Sequence, residues 1–249
     1  MKIWRISMSI LLLLSAAVQA QNYEQARAAE EHENWNEAIR LYQLAVQEDP
    51  GNLSAWLRMS DVYARIEEWS EAGEALREAG RHHPDEADVF YRGARAFAEA
   101  EQPEPGLEMA QRAVELEPDN PDYLEARGNL AGWLGQGELA IESFERALAA
   151  SPGRTWVLLS LGLQKAWAGE LDEGASLVRQ YLQTHPERID AMLHLVDFEI
   201  WRGNYSGAFH VLEDYRELAG EDRAYRAKRA RIMAWSGQRD DAMAMLDPL

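Results

Sequence analysis

The chain contains no cysteine. That absence excludes a disulfide framework, a thiolate nucleophile, thiolate metal ligation and lipid attachment at a cysteine, so stability must come from packing alone. Basic residues are also scarce. Lysine and arginine number 25 against 43 aspartates and glutamates, a formal charge of −18 in 249 residues. Such a balance repels polyanions and argues against nucleic acid and anionic membrane surfaces as partners. Chemical signatures are missing as well: there is no glycine-rich phosphate loop and no Gly-x-Ser-x-Gly elbow,. The six histidines offer only His82-His83 and the run Glu30-Glu31-His32-Glu33 as clusters, and neither has a metal-ligand spacing,. A cation near a helix C-terminus explains His82 and His83, and a solvated turn explains Glu30 to Glu33. The sequence therefore implies no enzyme, no metal and no cofactor.

No apolar run reaches the ~20 residues that cross hydrocarbon. The segment 1–20 carries Lys2 and Arg5, an apolar stretch from Ile10 to Leu14 and the small-x-small site Val18-Gln19-Ala20. This is the pattern of a cleavable secretory signal, predicting export, a mature start near Gln21 and no membrane span after cleavage. Without Lys2 and Arg5, 23 basic residues face 43 acidic ones, a net charge of −20. Residues 223–249 run the other way, with six basic residues against Asp240, Asp241 and Asp247. This last stretch either scatters its cations on a solvated surface or docks onto something acidic.

What the chain does have is a period. Pro50, Pro84, Pro118, Pro152 and Pro186 recur at one fixed interval, each number 34 above the last. Proline ends a helix because it cannot donate the next backbone hydrogen bond, so the spacing predicts seven helix–turn–helix units with a breaker after each second helix. Placing Pro50 at position 32 of the frame puts Ala38, Ala72, Gly106, Ala140, Gly174, Ala208 and Ala242 at position 20, where a bulky neighbour is expected. Position 8 reads Ala26, Ser60, Ala94, Gly128, Gly162, Val196 and Ala230, the column expected where the two helices of a unit approach most closely. Position 27 holds Ala45, Ala79, Ala113 and Ala147 but then Tyr181 and Tyr215, predicting different packing in the C-terminal half. Gln102-Pro103-Glu104-Pro105-Gly106 places two prolines in the turn within the third unit, Pro105 suiting the first turn of its second helix,.

These columns, with the aromatics Trp56 and Phe90 at position 4 and Tyr63 and Phe97 at position 11, resemble the tetratricopeptide repeat family. The resemblance implies an all-α, right-handed α-solenoid with units near 21–52, 53–86, 87–120, 121–154, 155–188, 189–222 and 223–249. It also implies that first helices line a ligand groove through positions 2, 5, 9, 12 and 13. Position 13 carries Trp133, Trp167, Trp201 and Trp235, each followed two places later by glycine. Neighbouring groove positions would hold Trp156 and Asp190, Glu125, and Asn129, Asp197 and Arg231.

Two readings of the tryptophan column stay open. Flat rings flanked by carboxylates and amides suit a polysaccharide or peptide side chains. Equally, each tryptophan could pack over the neighbouring unit, filling space left by its glycine. The last unit stops at Asp247-Pro248-Leu249, so an apolar end bordered by Met243, Met245, Leu246 and Arg239 is a second docking candidate, unless the final helix folds over it or a further domain follows,. The segment Ala230 to Ala242 resembles, less specifically, periplasmic repeats of bacterial outer-membrane barrel proteins, including exporters of surface polysaccharide. Together these resemblances imply a non-catalytic periplasmic scaffold or adaptor for envelope proteins or exopolysaccharide machinery, with a polysaccharide-binding module as the alternative.

Overall fold

The computed structural model describes residues 21–220 and 222–235, and among them no strand occurs. The helices follow the periodic frame in pairs. They are α1 (residues 21–31), α2 (Trp35–Glu48), α3 (Leu53–Arg65), α4 (Trp69–His82), α5 (Ala87–Glu99), α6 (Pro103–Leu116) and α7 (Pro121–Trp133). There follow α8 (Gly137–Ala150), α9 (Val157–Trp167), α10 (Leu171–Thr184), α11 (Ile189–Trp201), α12 (Tyr205–Asp214), α13 (Arg216–Ala219) and α14 (Arg223–Trp235). The signal segment lies outside the described residues, as does the proposed docking end with Arg239, Met243, Met245 and Leu246.

Helices α1–α7 form one compact unit and α8–α14 a second, divided inside the fourth repeat between Leu134 and Gly135. From α2 to α7 and from α8 to α12, helices adjacent in sequence pack on one another, and α14 packs on α12 and α11. The small-residue columns lie where they do because helix axes come close there. Every described member of position 20 is buried, as is every member of position 8, including Val196. What approaches position 20 is in part backbone rather than only a bulky side chain. A β-carbon at Gly106 would stand 3.3 Å from the Ala94 carbonyl oxygen, and one at Gly174 would stand 2.6 Å from that of Gly162.

At position 27 the predicted change appears as two different outcomes. Tyr181 is buried and stacks on His185 at 4.4 Å between ring centroids, while at Tyr215 the second helix of the sixth repeat breaks into α12 and α13. Pro103 and Pro105 fall inside α6, with Pro103 its first residue, rather than in the turn before it. There the missing N–H has no intrahelical partner to lose.

Turn chemistry between units matches the residues present. Asn52, Asn120 and Asn204 accept from Ala55 N–H (3.1 Å), Asp122 N–H (3.1 Å) and Gly207 N–H (3.0 Å), capping α3, α7 and α12,. The Pro50 carbonyl accepts from Trp56 Nε1 at 2.9 Å, and the Pro84 carbonyl from Arg112 at 3.0 Å. Two sequence expectations are corrected. His83 does more than place a cation at a helix end, since its Nε2 donates to the Gly51 carbonyl at 3.0 Å. Glu30 is not simply solvated: its carboxylate accepts from the Tyr42 hydroxyl at 2.7 Å and faces Arg58 at 3.4 Å. Burial and the Glu30 carboxylate together push the Tyr42 hydroxyl far above its ordinary pKa,.

Candidate functional site: tryptophans at the helix ends

The first helix of each of the first six repeats ends in one turn with one geometry. Glu33, Glu67, Glu101, Gly135, Gly169 and Gly203, one from each of the first six repeats, all adopt positive φ between 55° and 92°. In the fifth repeat, Gly169 N–H donates to Ala166 O (3.0 Å) and Glu170 N–H to Lys165 O (2.9 Å). The sixth repeats both bonds, from Gly203 to Ile200 (2.9 Å) and from Asn204 to Glu199 (2.8 Å). This paired closure satisfies carbonyls that the helix end would leave open, and it requires a left-handed residue.

Trp133, Trp167 and Trp201 each stand two places before that turn position, and Trp235 holds the same place in the repeat frame. The first three are the last residues of α7, α9 and α11, and Trp235 closes the described part of α14. The rings are 62%, 60%, 54% and 54% exposed. A β-carbon at Gly135, Gly169 or Gly203 would meet nothing within 4 Å, so the space beside these glycines is open and no tryptophan ring fills it. They are selected by backbone angle. For Trp133, Trp167 and Trp201, the idea that the ring packs into room made by its glycine is therefore overturned.

In the first three repeats the same position holds Glu31, Arg65 and Glu99. Arg65 lies over the Trp35 ring at 5.3 Å, and Trp235 meets Tyr205 edge-on at 5.4 Å. Both pairs join position 13 of one repeat to position 17 of the repeat before.

Asn129, Asp197 and Arg231 sit four places before Trp133, Trp201 and Trp235, hence on the same helix face one turn back,. Asn129 and Arg231 are exposed, whereas Asp197 is engaged by Lys228 of α14. Glu125 is half-buried on α7. Trp156 does not join them. It is exposed, under the Arg154 guanidinium at 5.6 Å, and immediately precedes α9, about 16 Å along the axis from Trp167,. Asp190 is likewise at the start of α11, where bonds from Arg188 (Nε–Oδ1 2.9 Å) hold its carboxyl below the usual range.

Three buried charges, Arg127, Lys165 and Glu199, went unread in the sequence. Lys165 and Glu199 occupy position 11, the column of Tyr63 and Phe97. Lys165 Nζ contacts Glu145 (3.0 Å), Glu170 (3.1 Å) and Glu173 (3.5 Å), and these carboxylates raise its pKa. Glu199 receives Arg179 (2.6 Å) and Asn204 Nδ2 (2.8 Å). Each thus grips, through its side chain, the residue whose N–H its own carbonyl already binds. The turns bearing Trp167 and Trp201 are doubly fastened. On α11, burial pushes His194 below its ordinary pKa, with Lys228 adding to the shift and Asp197 and Asp190 opposing it,.

Among the described residues, no group of three or more histidine, aspartate or glutamate side chains is arranged to hold a metal ion, and no helix is long and apolar enough to cross a membrane. Family descriptions of the tetratricopeptide repeat match residues 29–91, 91–155 and 167–232. No curated protein sequence matches the chain. Solved structures share its fold at low identity. MamA of Desulfovibrio magneticus is 20% identical, covering 69% of this chain and 97% of its own at a TM-score of 0.64. YrrB, described as having an unusual peptide-binding site, is 18% identical, with 74% and 95% covered and a TM-score of 0.64. PilW, described as a type IV pilus biogenesis factor, is 20% identical, with 84% and 97% covered and a TM-score of 0.60.

Proposed function

Since this chain belongs to the tetratricopeptide repeat family, we propose that it is a non-catalytic scaffold of the periplasm that binds protein partners in envelope or surface-polysaccharide machinery. The observation that carries this reading is the set of tryptophans at one position of four first helices, each residue more than half exposed. Tryptophan is rarely left so open without use, and it is enriched at the centres of protein interfaces. A repeat array offers such residues at regular intervals.

The peptide-binding description of YrrB and the pilus role of PilW support a binding protein of the cell envelope. The amino-terminal signal pattern supports export,. Affinity capture from envelope extracts tests the reading, comparing the wild-type chain with Trp167→Ala/Trp201→Ala. Loss of a specific protein at unchanged melting temperature is expected. The same protein captured by both, or none by either, would remove the tryptophans from the interface. Neutral oligosaccharides that shift tryptophan emission in the wild type alone would move the ligand class to glycans.

A further inference from the structure

We infer that the Trp167 and Trp201 turns form a docking surface for a basic polypeptide segment, one that lays lysine or arginine side chains across the indole faces. The inference rests on the scaffold reading above and assigns the chemistry of its partner. Three observations carry it.

The first is accessibility. Trp167 and Trp201 are 60% and 54% exposed. They end α9 and α11, which pack side by side within one compact unit. The second is charge. The turn after Trp167 presents Glu170 and the first turn of α10 presents Asp172 and Glu173, with side chains 46%, 89% and 56% exposed, and Glu145 of α8 adds a fourth carboxylate at 50%. Against them stand Lys165, 11% exposed beneath the turn, and Arg202, which bonds Asp172 at 2.7 Å. Four carboxylates and two cations leave the surface at −2, on a chain of −18. A cation over an indole face is attracted by the ring's quadrupole, and carboxylates around the ring add to the attraction and steer approach. Anionic segments are repelled from the same surface.

The third observation is rigidity. Lys165 fastens the Trp167 turn through Glu170, and Glu199 fastens the Trp201 turn through Asn204. Turns held from below lose little freedom when a partner binds, so more of the contact energy is available as affinity. Lys165 and Glu199 are in this sense positioning residues for the docking surface.

Hexalysine, titrated into the full chain at low salt with isothermal calorimetry as the readout for every variant, tests this. Binding should weaken roughly tenfold in Trp167→Ala/Trp201→Ala, the effect of losing cation–π contacts at two rings. It should weaken comparably in Glu170→Gln/Asp172→Asn/Glu173→Gln. Glu104→Gln/Glu108→Gln/Asp119→Asn, which removes the same charge from an exposed surface of the other compact unit, should change little. Equal weakening by both charge variants would show diffuse attraction to an acidic protein and overturn the inference. So would full affinity in the tryptophan variant, or a response to neutral hexasaccharides in place of hexalysine. If hexalysine fails while capture of an envelope protein still depends on the tryptophans, only the basic character of the partner falls and the scaffold reading stands.

Discussion

Gly174 and Gly162 face each other so closely that a β-carbon on the first would stand 2.6 Å from the carbonyl oxygen of the second, with Ala166 at 3.1 Å closing the other side. The obstacle is backbone, which cannot turn aside as a flexible side chain can. Gly174→Val should cost about 3 kcal/mol by overpacking, read as a lower urea midpoint at unchanged slope. A midpoint equal to wild type would mean that α9 and α10 separate freely.

The left-handed turn residues make a second prediction. Glu67 holds φ of 63° and Glu101 of 55°, a conformation that costs a residue with a β-carbon about 1–2 kcal/mol,. Glu67→Gly and Glu101→Gly should each stabilise by roughly 0.5–1 kcal/mol after the entropy of the unfolded glycine is counted. Gly169→Ala, at 92°, should destabilise by a similar amount,. Thermal melts of the three variants check the signs.

Replacing exposed tryptophans should scarcely touch the fold. Trp167→Ala and Trp201→Ala are each expected within about 0.5–1 kcal/mol of wild type, while Phe97→Ala, at a fully buried ring, should lose about 3–5 kcal/mol. Comparable losses in the two sets would mean that the rings are structural after all.

The buried carboxylate of Glu199 predicts an asymmetry. Removing its cations in Arg179→Ala/Arg202→Ala leaves a charge with 3% side-chain exposure unpaired, at a cost of about 3–5 kcal/mol,. Glu199→Gln removes the charge instead and keeps an acceptor for Asn204, so the loss should stay near about 1 kcal/mol. Chemical denaturation of both variants measures the difference, and a larger loss in Glu199→Gln would reverse the argument.

His194 gives a pH dependence of definite sign. Its pKa is lowered from 6.5 in the folded chain, chiefly by burial, so the unfolded chain takes up the proton first. Stability should be constant above about pH 7 and fall as pH drops through 6.5 toward the folded value, levelling below it,. His194→Gln should remove this step in a series of melts from mildly alkaline to mildly acidic pH. A wild type equally stable at both ends of that series would contradict it.

The packing was legible in the sequence because steric demand leaves few residue choices. Ala38, Ala72 and Ala208 are small where axes meet, and the proline period marked where α2, α4, α6, α8 and α10 end. The state of the tryptophans was not, because Trp-x-Gly fits a ring packed into a gap and a ring left in water equally well. The deciding facts are the positive φ at Gly135, Gly169 and Gly203 and the empty space beside them, both properties of coordinates. Lys165 and Glu199 did carry a signal, as charges in the column of Tyr63 and Phe97. Their partners Glu145 and Arg179 come from different helices, each lying well back along the chain, and no periodicity within one helix pairs them.

The left-handed closure that ends the first helix in each of the first six repeats lends itself to design. The residue two places before it is exposed, and the chain carries Glu31, Arg65 and Glu99 there as well as Trp133, Trp167 and Trp201. An engineer could rewrite this edge by single substitutions, one position per repeat, leaving the helices unaltered.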